Sequence, residues 1–231
     1  MKSIILNLAA SIKNLARRIQ EEEEREEMSN DTQKIFSGEG AGRHIEYLAQ
    51  QDGIDALTGL TGLKVFRHEL EHALACLKGE QEGQIAGKEP LKEIALIALN
   101  VDHLEKVNTT YGHAAGDEVL RQVASLLMMS IPETDTIARI NGRELMILMK
   151  GVDAHTAALH AEEIRRKISQ LTLSGYPGLA LTASFGVVSS KESTNPRILQ
   201  EYADEALYGA KRDGRNQVKT HSPGEEATHT L

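Results

Sequence analysis

The chain has no tryptophan, three phenylalanines and one cysteine among its 231 residues. A single cysteine excludes an internal disulfide framework and fits a reducing compartment. Cys76 reads as a small buried hydrophobe rather than a nucleophile. No apolar run approaches the roughly 20 residues a membrane span needs, so no transmembrane segment is expected. The first ten residues faintly resemble a signal peptide, but Asn7 and the basic residues soon after it argue against that. Positive charge is also in short supply: 26 Lys and Arg stand against 34 Asp and Glu, a net −8. Nucleic-acid-binding surfaces are normally basic, so no nucleic-acid partner is expected. The length suits one domain of about 150–180 residues plus an extension, and the expected location is cytoplasmic.

Periodicity organises what is present. Ile5, Leu8, Ile12, Leu15 and Ile19 fall at steps of three, four, three and four, a heptad seam. Residues 1–36 are therefore expected to form an amphipathic or coiled-coil helix, and the chain a homodimer through it. Packing of that helix on the body is a second reading, because two heptads are marginal alone. A membrane-surface helix is a third, disfavoured by the acidic run at residues 21–27, which anionic lipid would repel. Ser37-Gly-Glu-Gly-Ala-Gly42 breaks the pattern, so residues 37–51 read as a linker with a short helix over 44–51. Residues 52–219 form the main domain, and the polar residues 220–231 read as a disordered tail.

Within that domain the pattern alternates between the periods of helix and strand. Helices are expected over residues 65–77, 115–130, 154–171 and 196–212, and a polar loop over 78–92. Strands are expected over 93–101, 135–140, 144–150 and 179–188, with a short last one near 216–219. The order β-α-β-β-α-β is the split βαβ (ferredoxin-like) arrangement. It predicts an α+β fold, an antiparallel-containing sheet with helices on one face. Two apolar runs meet at Asn141-Gly142, a dipeptide whose residues can both take φ > 0, which predicts a tight hairpin. Arg143 and Glu144 directly after it are placed to meet a ligand.

Four separated segments carry a resemblance. They are Asp55-Ala-Leu-Thr-Gly-Leu60; Asn100-Val-Asp-His-Leu-Glu-Lys-Val-Asn108 with Tyr111-Gly-His113 and Gly116-Asp117-Glu-Val-Leu120; the hairpin Arg139-Ile-Asn-Gly-Arg-Glu-Leu145; and Ala203-Asp-Glu-Ala-Leu-Tyr208 with Lys211 and Gly214-Arg215-Asn216, preceded by Ser184-Phe-Gly186. Together they resemble the GGDEF domain of diguanylate cyclases, with a nucleotide-cyclase-like fold preceded by an N-terminal helix. The resemblance implies a nucleotide site. Asn108 and Asp117 stand where the family bonds the guanine edge, Lys211 and Arg215 where it grips phosphates, and Gly142 and Arg143 where the hairpin meets the nucleotide. Read singly, these residues also admit plain structural roles: a turn cap for Asn108, a first-turn helix position for Asp117, exposed cations for the other two.

The metal positions implied by the same resemblance are altered. Asn100 stands in place of a ligating aspartate and Arg143 in place of the signature's acidic third residue, a change from −2 to +1. A guanidinium about 4 Å from a divalent ion would oppose it by several kcal/mol at an effective dielectric near 20. Magnesium wants hard carboxylate oxygens, and only Glu144 and Asp102 remain, Asp102 reading as a structural cap. Glu105 stands where the family has a lysine, and Asn141 where it has a glycine. The family's product-inhibition motif is also broken, as Pro132-Glu-Thr-Asp135 lacks its arginine.

The sequence thus describes a degenerate GGDEF domain, without catalysis, acting as a regulatory or interaction module in cyclic-di-GMP-type signalling. GTP is its candidate ligand, with Arg143 taking part of the metal's charge role; no cofactor is expected, and the protein partner is not specified. One alternative is a divergent active cyclase or related hydrolase, with Glu144 catalytic and Mg²⁺ required. The other is a ligand-free structural module whose cleft is closed by an Arg143 salt bridge to Glu144, Asp102 or Glu105.

Overall fold

A computed structural model describes residues 53–79 and 91–221. The expected N-terminal helix, the linker with its short helix, most of the loop at 80–90 and the tail from 222 onward lie outside these residues. The elements in chain order are β1 (Thr61–Gly62), α1 (Leu63–Leu77), β2 (Ile94–Val101), α2 (Leu104–Tyr111), α3 (His113–Ser130), β3 (Thr136–Asn141), β4 (Glu144–Lys150), α4 (Ala154–Ser169), β5 (Ala183–Ser189), α5 (Pro196–Arg212) and β6 (Val218–Thr220). They build one six-stranded sheet in the order β1-β3-β4-β2-β5-β6. The central β2 runs antiparallel to both β4 and β5, while β1–β3 and β5–β6 pair in parallel. This is the expected α+β sheet.

Every residue of β2 is buried, because both faces of the sheet are covered. Ala95, Ile97, Leu99 and Val101 point into a core shared with α2, α3 and α4. Ile94, Leu96 and Ala98 point the other way, into a second core with α1 and α5. The expectation of helices on one face is therefore corrected. The near-continuous apolar run at 93–101 called for a cover on each side, and two helix layers supply it.

Local chemistry explains most boundaries. Asn195 caps α5, its Oδ1 accepting from the backbone N–H of Arg197 and Ile198, with Pro196 in the first turn. Asp153 does the same for α4 through Thr156 N–H. Gly112, at φ 87°, breaks the chain between α2 and α3, a conformation that costs glycine little. The strand expected from residue 179 starts only at Ala183, since Leu179 N–H bonds Tyr176 in a turn and Thr182 O accepts from Asp102 N–H.

Thr220 and His221, expected in the polar tail, are held against β5. Thr220 pairs with Val187 in the ladder, and His221 N–H donates to Val187 O at 2.7 Å. The His221 ring stacks on Tyr202 with centroids 4.0 Å apart. The short last strand expected near 216–219 stands at Val218–Thr220, and polar composition hid only its final residue and the ring contact that follows it.

Candidate functional site

Strand register brings the altered positions together. Asn100, near the end of β2, is paired with Glu144 on one side and Ser184 on the other. Alternation turns these three toward the face covered by α5, which carries Asp204 and, two helical turns on, Lys211. Arg143 hangs over this level from the hairpin.

The hairpin is tight, but not in the expected way. Asn141 is the last residue of β3 and pairs with Glu144, so Gly142 and Arg143 form the turn. Neither Asn141 nor Gly142 takes a positive φ. A register shift between Arg139 and Asn141 adapts the strand instead. The Asn141 side chain stabilises the turn from within: its Oδ1 accepts from Arg143 N–H at 3.4 Å and its Nδ2 donates to Glu144 Oε2.

Arg139, two residues before Asn141, anchors the hairpin to the Asp55 segment. Its Nη1 donates to both oxygens of Asp55 at 2.9 and 3.1 Å, and its Nη2 to Gly142 O at 2.7 Å. Asp55 also accepts from the N–H and hydroxyl of Thr58. Burial works against the Asp55 charge, yet these hydrogen bonds and the Arg139 charge hold its carboxyl below the usual range.

Asp102 is not a helix cap. Its Oδ1 accepts from Ser184 Oγ at 2.7 Å, and its Oδ2 accepts from Thr182 Oγ1 at 2.8 Å and Asn216 N–H at 3.0 Å. The buried carboxylate thus clasps β5 to the loop after α5, where Gly214, Arg215 and Asn216 all take positive φ. That loop aims Arg215 at the cleft. His103 precedes α2 at φ 55°, a left-handed position that shapes the cleft floor.

Two adjoining hollows result. One, about 540 Å³, is lined by Asn100, Asp102, Lys106, Arg143, Lys211 and Arg215 among others. Its neighbour, about 390 Å³, is lined by Asn108, Gly116, Asp117, Arg139, Gly142 and Arg143 among others. Arg143 lines both. The nucleotide residues expected from sequence therefore converge, in two groups joined at Arg143. Asn108 does not cap a turn with its side chain, and its buried Oδ1 has no partner. Asp117 lies beyond the first turn of α3. Gly116 is what makes room for Asn108: a Cβ there would come within 1.8 Å of Asn108 Oδ1.

The electrostatics of the first hollow are mixed. Burial, then the positive charge of Arg143, pulls Lys211 below its ordinary range, against Glu144, Asp102 and Asp204. Desolvation of the carboxyl, then the charge of Glu144 and a hydrogen bond to it, pushes Asp204 up to about 7. Arg143 itself makes one loose ion pair, Nη1 to Glu105 at 4.0 Å, both side chains largely exposed. Asp204 and the anchoring role of Arg139 were missed in the sequence. The available signal for Asp204 was its seven-residue spacing from Lys211, which places both on one helix face.

Comparison with known proteins agrees with this geometry. The family profile described as "Diguanylate cyclase, GGDEF domain" matches residues 53–217. The probable diguanylate cyclase DgcT of Escherichia coli K12 is 38% identical over 128 residues, covering 53% of this chain and 28% of DgcT. Diguanylate cyclase DgcS of Shewanella oneidensis is 31% identical over 172 residues, covering 74% of this chain and 54% of DgcS. The chain thus matches about half or less of the length of these relatives. The coiled coil and GGDEF domain of DgcB from Caulobacter crescentus, solved with c-di-GMP, superposes with a TM-score of 0.65 at 29% identity, covering 85% of this chain and 98% of that one. A mixed sheet with a nucleotide-cyclase-like cleft defines the class. The chain belongs to the GGDEF family, whose setting is cyclic-di-GMP signalling.

No helix among the described residues is long and apolar enough to cross a membrane.

Proposed function

We propose that this chain is a degenerate, catalytically silent GGDEF domain that binds guanine nucleotide and serves as a regulatory or interaction module. One observation carries the reading. The residues that the family resemblance assigns to the nucleotide line joined hollows, while among the described residues no free carboxylate pair faces the end assigned to phosphate. Asn100 is neutral and Arg143 positive. Asp102 already accepts three hydrogen bonds, and Glu144 is shared between Asn141 and Asp204. Among the described residues no group of three or more His, Cys, Asp or Glu side chains could hold a metal ion. A magnesium ion, which the family uses to neutralise developing charge, does not fit this donor set. Family chemistry requires that ion, so the altered cleft is proposed to hold nucleotide without turning it over.

Residues 1–36 supply the presenting element in this reading, a coiled coil that makes the chain a cytoplasmic homodimer. The relative DgcB, with its coiled coil joined to a GGDEF domain, supports that arrangement. A second reading, the active cyclase, draws its support from the cyclase names of DgcT and DgcS. The test separates them. The full chain, its mass checked against a dimer by light scattering, is incubated with GTP and Mg²⁺ or Mn²⁺. Cyclic di-GMP stays at the blank level in the silent reading; steady formation, lost in Glu144→Gln, establishes the enzyme.

A further inference from the structure

We propose that Arg143 takes the metal's place as a resident cation, so that the cleft selects metal-free guanine nucleotide and divalent ions weaken its binding. The inference rests on the nucleotide-binding reading above and deepens it. Three observations carry it. First, Arg143 lines both hollows, the one with Lys211 and Arg215 and the one with Asn108 and Asp117. It stands at the junction between a base site and a phosphate site, where the polyphosphate of a bound nucleotide must pass.

Second, the guanidinium is available. Its one ion pair is 4.0 Å long, with 61% of the Arg143 side chain and 87% of the Glu105 side chain exposed. Solvent-screened pairs of that kind hold weakly, so a phosphate displaces Glu105 with little loss. A guanidinium also presents a planar fork that matches phosphate oxygens in a bidentate way.

Third, the carboxylates that would otherwise draw a metal are committed elsewhere. Asp102 holds Thr182, Ser184 and the Asn216 N–H, and Asn141 occupies one oxygen of Glu144. A magnesium ion arriving on the nucleotide would bring two positive charges beside Arg143, Lys211 and Arg215, and of the carboxylates lining that hollow only the exposed, water-screened Glu105 is left to meet it. Magnesium therefore removes charge from the ligand and gains in return one solvent-exposed carboxylate, too few hard ligands to hold it. The usual sign of its effect in this family is inverted.

Calorimetric titration of the full chain with GTP tests this, once in EDTA and once in excess Mg²⁺. The expected result is binding in EDTA that weakens roughly tenfold with Mg²⁺, the order expected for charges about 4 Å apart in an open cleft where water screens most of the interaction. Arg143→Ala should abolish most of the EDTA-phase affinity and the magnesium antagonism together. Its apo melting temperature should hold, since the side chain is exposed. Binding that is equal in both buffers, or stronger with Mg²⁺, overturns the inference and leaves nucleotide binding intact. Unchanged EDTA affinity in Arg143→Ala overturns it too. No binding in either buffer defeats the underlying reading instead.

Discussion

Asp204 and Glu144 share one hydrogen bond between two carboxyl groups, an arrangement that needs a proton. Desolvation first, then the Glu144 charge and that bond, raise Asp204 from 3.8 to about 7. The folded chain therefore holds a proton on Asp204 in the interval where the unfolded chain has released it. Where the native state binds more protons, stability falls as pH rises. The contribution is neutral below the unfolded value and declines through the interval up to about 7. Above that it remains as a fixed penalty. Asp204→Asn removes the titration and keeps a donor for Glu144. Its melting temperature should exceed that of the parent at about pH 8, and the gap should close by about pH 4. A gap that is constant with pH would mean that Asp204 ionises normally. At this scale the sequence was only partly readable. The motif residues stood in plain view, but partners such as Thr182 and Ser184 for Asp102, or Asp55 for Arg139, lie far along the chain and become neighbours only through the sheet.

Elements were read more securely than partners. Residues 196–212 were legible as a helix because Asn195 and Pro196 mark its start and its apolar stripe is long. The helix α2 escaped notice, since Asn108, Thr109 and Thr110 dilute its periodicity and Gly112 cuts it off after eight residues. The positive-φ turn expected at Asn141-Gly142 gave way to a strand irregularity between Arg139 and Asn141, beside the Arg139 bonds to Asp55 and Gly142 O. How closely α5 approaches the sheet is set by one residue on β5. A Cβ on Gly186 would lie 2.1 Å from Ala203 O and 2.3 Å from Leu207 N. Those atoms are helix backbone and cannot rotate away. Gly186→Ala must lift α5 from the sheet, at a cost of about 3 kcal/mol or more by the scale of overpacked cores. The urea midpoint should fall accordingly, and nucleotide affinity should fall with it, because α5 carries Lys211. An unshifted midpoint would show that α5 rides more loosely on β5 than the contact implies.

For the molecule as a whole, the six-stranded sheet of the GGDEF family is complete, and Asn100 and Arg143 set the charge at one end of it. β2, the hairpin, α2 and the loop after α5 each contribute to one cleft, so metal capacity is a property of their sum. Asn100 and Arg143 are two of its inputs, and the pair Asn100→Asp with Arg143→Asp reverses the local change from +1 to −2. Asn100 faces Glu144 across the ladder, so the new carboxylate joins one already there. Two added acidic groups beside Glu144 supply hard oxygen ligands of the kind magnesium takes. They also remove the cation on which the proposed metal-free binding rests. The double variant should therefore exchange one behaviour for the other: GTP affinity lost in EDTA and regained with Mg²⁺, read by the same calorimetric titration. Turnover should not return with it, because Glu105 still stands where the family places a phosphate-facing lysine and Asp102 remains tied to β5. Acquired magnesium dependence without cyclic di-GMP would locate the loss of metal in those two positions. A variant that still binds GTP best in EDTA would show that the wider cleft, and not these two positions, sets the response to metal.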